Sequence, residues 1–190
     1  DGIVGDGGDG GVDGLYVFAN GEPVREDFDF SPLKRGVILD LVIIQAKTSP
    51  SFSEAAFDRL NAVFGDLFDL SHSVDDYKSV YNEGLRSGVE AFRRAYRELA
   101  ARFPRLRIRF VYGSRGLDVH PNVRRKAAQL AERVSALYSA AETQTDFYGA
   151  PELLALARQA PRTTFSLQLA ETPISSSGDV GFISLVRLKD

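Results

Sequence analysis

The sequence predicts an α/β or mixed-sheet domain, and three observations predict it. Residues 37–47 form a nearly continuous apolar run, which reads as a strand covered on both faces. Residues 75–102 and 121–141 place apolar side chains every three or four positions, the spacing of one helix face. Strand-like and helical stretches then alternate along the rest of the chain, as they do where helices cover a sheet.

The elements follow in order. After a glycine-rich opening, Gly14-Leu-Tyr-Val-Phe-Ala19 is rich in aromatic and β-favouring residues and predicts a strand. Asn20-Gly21 is a hairpin turn signal, and Pro23-Val24 begins the return. The apolar strand at 37–47 breaks at Thr48-Ser49-Pro50-Ser51. Ser53 with Glu54 opens a helix whose Phe57, Leu60, Phe64, Leu67 and Phe68 recur at helical spacing. The helix predicted over 75–102 carries Tyr81, Leu85, Val89, Phe92, Tyr96 and Leu99, and Pro104 ends it. Residues 105–112 alternate basic and apolar side chains, as a half-buried strand does, and Gly113 closes them. Pro121-Asn122 starts the helix that carries Val123, Ala127, Leu130, Val134 and Leu137 on one face. A short strand at 143–148 and a short helix at 151–159 follow, the helix with Pro in its first turn. Late strands are expected at 163–169 and 181–188, the second after a flexible Ser175-Ser-Ser-Gly178.

With 190 residues, 44% of them apolar, the chain can bury one core but not two comfortable ones, so a single domain over 1–190 is expected. No apolar run approaches the roughly 20 residues that span a bilayer, and the start lacks a signal-peptide pattern. No membrane partner is therefore expected, and the cytoplasm is the expected location. The absence of cysteine excludes a disulfide framework and thiolate metal sites. The chain has no methionine, even at its start, so we expect a piece of a larger polypeptide with further domains.

The net charge of −3 hides an asymmetry. Residues 1–30 hold eight acids and one base, whereas residues 86–133 hold 13 bases and four acids. An acidic loop suits a cation and a basic stretch suits a polyanion, although solvated arginine-rich helix faces give the same count.

The opening Gly5-Asp-Gly7-Gly-Asp-Gly10 has the spaced glycines of a dinucleotide loop. That loop follows a strand and opens a helix, whereas here three nearby aspartates would repel phosphate and a strand follows. A helix-loop-helix calcium site fails as well, because Asn20 stands where a bidentate Glu is needed. A surface turn explains the glycines but leaves Asp13, at the mouth of a core strand, without a reason.

Gln45 and Lys47 lie two residues apart in a strand, so they project from one face. Polar groups closing an apolar run cost desolvation unless they meet a polar cleft, although a strand fraying into solvent shows the same pattern. In combination the signal is more specific. Asp13 in Gly-Val-Asp-Gly starts one strand, a later buried strand ends in Gln45-Ala46-Lys47, and a helix follows. This arrangement resembles the PD-(D/E)XK nuclease superfamily, and its Mrr-like restriction branch in particular, where Gln-X-Lys replaces Glu-X-Lys. The segments around Gly10–Phe18, Ile43–Ser49, Ser51–Glu54, His120–Lys126 and Ile174–Ser177 also resemble the amino-terminal region of the AIPR family, which is linked to abortive phage-infection resistance.

The resemblance implies a restriction-endonuclease-like mixed sheet and a Mg²⁺-dependent (or Mn²⁺-dependent) endonuclease acting in bacterial phage defence. It implies Asp13, Gln45 and Lys47 as the catalytic set. Asp13, the Gln45 amide oxygen and the Ala46 backbone carbonyl would hold the metal, with Asp9 as a further candidate. Lys47 would orient or help deprotonate the attacking water and offset transition-state charge. Asp40 and Glu54 are weaker substitutes for the missing second acid. Asp40 lies an odd number of residues from Gln45 and should face away, and Glu54 suits a helix start. Thr48, Ser49, Arg124, Arg125 and Lys126 are candidate nucleic-acid contacts, with DNA expected in preference to RNA. A homodimer is an expected arrangement, since cutting two strands takes two sites. His72 has no metal-ligand partner in sequence, and His120 suits a helix start better than a base. Two alternatives stay open: a nuclease-like module that binds nucleic acid or oligomerises without cutting, and a ligand-sensing domain.

Overall fold

The computed structural model describes residues 2–5 and 7–159, and the backbone of two short strands at 174–175 and 182–183. The chain divides into two compact units, Asp1–Leu156 and Ala157–Asp190. The first unit carries a five-stranded mixed sheet in the order β2-β1-β3-β4-β5. Its strands are β1 (Gly14–Ala19), β2 (Glu22–Pro23), β3 (Ile38–Lys47), β4 (Arg105–Ser114) and β5 (Glu142–Tyr148). In the second unit, β6 (Ile174–Ser175) and β7 (Phe182–Ile183) form an antiparallel pair. The strand expected at 163–169, and most of that at 181–188, lie outside the described residues.

The hairpin forms where the Asn-Gly signal predicts it. Asn20 and Gly21 both take positive φ, of 51° and 85°, as a two-residue turn matched to strand twist requires. β1 then runs antiparallel to β3, from Gly14 opposite Ile44 to Ala19 opposite Leu39. β3, β4 and β5 are mutually parallel, so their carboxyl ends, at Lys47, Ser114 and Tyr148, share one edge.

Between β3 and β4 lie α1 (Glu54–Leu67) and α2 (Glu83–Leu99), and between β4 and β5 lies α3 (Pro121–Leu137). The two crossovers step the same way across the sheet, and connections of one hand put their helices on one face. That face is the core. Leu39, Leu41, Ile43 and Gln45 of β3 alternate into it beside Leu106, Ile108, Phe110 and Tyr112 of β4. Phe64 and Phe57 of α1 meet Phe110 and Tyr112, and Tyr138 after α3 packs on Phe92 of α2.

Two expectations are corrected here. β3 is not covered on both faces by the described residues, since Asp40, Val42 and Ile44 are only half-buried. Ion pairs line that second face: Arg107 holds Asp40 through contacts of 2.5 and 2.7 Å, and Arg105 and Arg109 pair with Glu142 and Asp146. The Arg105 hydrogen bond holds the Glu142 carboxyl below its ordinary range. A short helix, α4 (Ala150–Arg158), brings Leu153 up to Gly113 near the carboxyl end of β4.

The helix expected over 75–102 is three pieces: a 3₁₀ turn at Val74–Tyr77, then α2, then a 3₁₀ turn at Ala100–Arg102. Asn82 causes the break, because its Oδ1 accepts the Leu85 N–H at 2.9 Å and so starts a new helix. Its Nδ2 donates to the Val4 carbonyl and its N–H to the Gly8 carbonyl, which fastens the opening loop to α2. Arg93, almost fully buried on α2, donates to the carbonyls of Leu67, Leu70 and His72 and so closes the carboxyl end of α1. Asn82→Ala should lower unfolding free energy by about 1–2 kcal/mol in urea titration. Asn82→Asp, which keeps the cap but not the amide donor, should fall between.

Candidate functional site

Antiparallel pairing puts the start of β1 beside the end of β3. One residue before the last pair, Asp13 donates its N–H to the Ile44 carbonyl at 2.9 Å, and its Oδ2 accepts the Ala46 N–H at 2.7 Å. Residues 33 positions apart thus meet across one hydrogen bond. A residue's N–H and C=O leave an extended strand on the same edge, so the Ala46 carbonyl also faces the side from which Asp13 arrives. Ala46 is exposed, and Asp13 and Lys47 are half-buried.

Gln45 differs from its neighbours. It is 2% exposed, on the helix-covered face, and neither its Oε1 nor its Nε2 has a hydrogen-bond partner. A buried, unpaired amide costs on the order of 1–3 kcal/mol, and such groups gather where a ligand completes them. Lys47 lies two residues on, at the end of the same face. Among the described residues it makes no hydrogen bond or ion pair.

The glycine-rich opening packs closely against this strand end and is not a loose turn. Gly10 takes φ of 61° and lies against Val63 of α1, where a Cβ would collide with it. Gly11, with φ of 82°, leaves open a point 2.9 Å from Gln45 Nε2 and 3.4 Å from Arg59 Cδ. Asp9 is anchored in this loop: its Oδ1 accepts the Gly11 N–H at 2.7 Å and its carbonyl accepts the Val12 N–H, while its Oδ2 has no described partner. Asp9 is therefore tied to the loop's own backbone.

The other sequence candidates separate cleanly. Asp40 faces the opposite side of the sheet, held by Arg107. Glu54 is the first residue of α1, while Ser53 caps it by accepting the Ala55 N–H. The Ser49 hydroxyl donates to the Ser51 carbonyl, and the Thr48 carbonyl accepts from Arg115, so both order the loop after β3. On α3, Lys126 pairs with Asp58 at 2.7 Å and Arg124 lies over the Phe147 ring, while Arg125 is exposed with no described partner. His120 caps α3 through Nδ1, which accepts the Asn122 N–H.

Arg59 and Gly11 escaped the sequence reading. Arg59 looks like any solvent-side helical arginine, and only the fold brings it against Gly11, the glycine that also borders the Gln45 amide. The basic stretch also changes meaning. Of its arginines, Arg86 and Arg97 pair with Asp75 and Glu90, Arg94 and Arg102 bind backbone carbonyls, and Arg105, Arg107 and Arg109 pair across strands.

The donors suit a hard divalent cation, since a carboxylate, an amide oxygen and a backbone carbonyl are all oxygen ligands. Among the described residues no three His, Asp or Glu side chains gather into a cluster, so the fit rests on the orphaned Gln45 amide and on Asp13, held at the same strand end by the Ala46 N–H. No family model, curated protein or solved structure matches the chain.

Gly11→Ala should strain a left-handed position and push a methyl onto the Gln45 amide. Its thermal midpoint should fall by an amount equivalent to about 1 kcal/mol or more, whereas Gly21→Ala, strained but open, should cost less.

Proposed function

We propose that this chain is a divalent-metal-dependent endonuclease of PD-(D/E)XK type, in the Gln-X-Lys variant, that hydrolyses phosphodiester bonds, with DNA as the preferred substrate. The observation that carries the reading is the 2.7 Å hydrogen bond by which Asp13 Oδ2 accepts the Ala46 N–H, at the strand end that also bears Lys47 and the buried, unpartnered amide of Gln45. The sheet supports it too, since an antiparallel strand paired to the first of three parallel strands suits that fold. The similarity of the scattered motifs to the AIPR family supports a place in phage defence.

In this reading Asp13, the Gln45 Oε1 and the Ala46 carbonyl hold Mg²⁺ or Mn²⁺. When bound, the cation neutralises phosphate charge and makes water a better nucleophile. The protein's own groups do the rest. Lys47 donates hydrogen bonds that hold the attacking water and offset the charge growing on the phosphate oxygens as the P–O bond breaks. The Ala46 N–H fixes the Asp13 carboxylate, leaving its second oxygen available. The neutral amide of Gln45 keeps an oxygen donor but removes one negative charge, which lowers intrinsic cation affinity and makes the substrate phosphate a needed co-ligand. A module that binds nucleic acid without cutting is the second reading, favoured by that same loss of charge.

Cleavage assays on duplex and single-stranded DNA and on RNA, with Mg²⁺ and with Mn²⁺, test this. Asp13→Ala and Lys47→Ala should each lower the rate by about 100-fold or more. Equal behaviour of the unmodified chain and both variants on every substrate would sink catalysis and leave the binding module. Gln45→Glu, restoring a carboxylate, should tighten Mg²⁺ binding by about tenfold in calorimetry.

A further inference from the structure

Arg59 projects from α1 at the edge of this site. It is exposed, and among the described residues its guanidinium makes no hydrogen bond or ion pair. The neighbouring cations are engaged: Lys126 with Asp58, Arg115 with the Thr48 carbonyl, Arg124 over Phe147. Exposure alone would say little, because a solvated arginine needs no partner. What sets Arg59 apart is where its stem runs. The point left open by Gly11 lies 2.9 Å from Gln45 Nε2, 3.4 Å from Arg59 Cδ and 3.7 Å from Arg59 Cβ. The stem therefore packs on the loop that delivers Asp13, beside an amide whose polar atoms are both unpaired. Asp58, the carboxylate next to it in sequence, is already taken by Lys126.

We propose that Arg59 is a phosphate-positioning residue of this site, gripping a backbone phosphate of the nucleic-acid strand presented to Asp13, Gln45 and Lys47. The inference rests on the nuclease reading of that site and names a residue the sequence motif does not contain. A guanidinium is a planar fork of donors that matches two phosphate oxygens at once, and it stays charged at every working pH. Gln45 brings no negative charge, so the carboxylates a phosphate meets here are Asp13 and, on the same loop, Asp9, and a guanidinium beside them offsets that repulsion. Arg59 can then hold the strand before any divalent cation arrives, so its contribution is visible without metal.

The test measures equilibrium binding of a fluorescent oligonucleotide duplex to the full chain in EDTA, at several salt concentrations, alongside Mg²⁺-dependent cleavage. Arg59→Gln should weaken binding by about tenfold and lower the slope of log affinity against log salt by about one phosphate contact. Arg59→Lys should keep the slope while recovering only part of the affinity. Lys34→Gln, an exposed charge before the opposite end of β3, should change neither. If the chain cuts but Arg59→Gln binds with unaltered affinity and slope, the Arg59 assignment is wrong and the nuclease reading survives. If binding depends on Arg59 but nothing is cut, the catalytic reading falls and the phosphate contact stands. Loss of slope in Arg59→Lys equal to that in Arg59→Gln would mark a packing role and overturn the proposal, as would a chain that binds no duplex at all.

Discussion

The antiparallel register between β1 and β3 is the constraint on which the rest of this molecule hangs. It pairs Gly14 with Ile44, so the residue before Gly14 must arrive where β3 ends. Slipping that register by one residue would turn Leu15 and Val17 out of the core, and burial forbids it. Hydrophobic burial on one face of the sheet therefore fixes the place of a polar group at its edge. The Asp13 carboxylate meets the Ala46 N–H because the core leaves the strand no other alignment.

The same pairing explains why the opening loop is glycine-rich. Once β1 is fixed, the chain before it must pass between α1, α2 and the end of β3. Gly10 lies against Val63, Tyr81 and Leu85, and Gly11 lies against Gln45 and Arg59. Both have positive φ, so side chains there would be strained as well as crowded. Asn82 holds this passage from the other side, tying Val4 and Gly8 to the first turn of α2. A composition that suggests a loose turn is in fact a closely packed seam.

Charge is distributed with equal economy. The arginine-rich β4 does not present a bare basic ribbon: Arg105, Arg107 and Arg109 each face a carboxylate on a neighbouring strand. Exposed pairs of this kind are screened by solvent and stabilise little, so their main effect is to neutralise the open face of the sheet. At the end of β3, Lys47 and Arg59 are by contrast without a described partner.

The sequence by itself determined most of the elements and one vector of the site. Period-two alternation put Gln45 and Lys47 on one side of β3 and Asp40 on the other, because strand geometry is local. Asn20-Gly21 fixed the hairpin for the same reason. Tertiary structure decided the rest. Periodicity could not see that Asn82 interrupts the second helical stretch, since the cap depends on its contacts with Val4 and Gly8. Nor could it see that β3 is covered on one face by the described residues, because an apolar run reads alike in a one-sided and a two-sided strand. Above all, the packing of Arg59 and of the unpartnered Gln45 amide against the same glycine, Gly11, arises from how α1 meets the opening loop. Contacts between residues far apart in the chain leave no trace in local pattern, and that is where this site was completed.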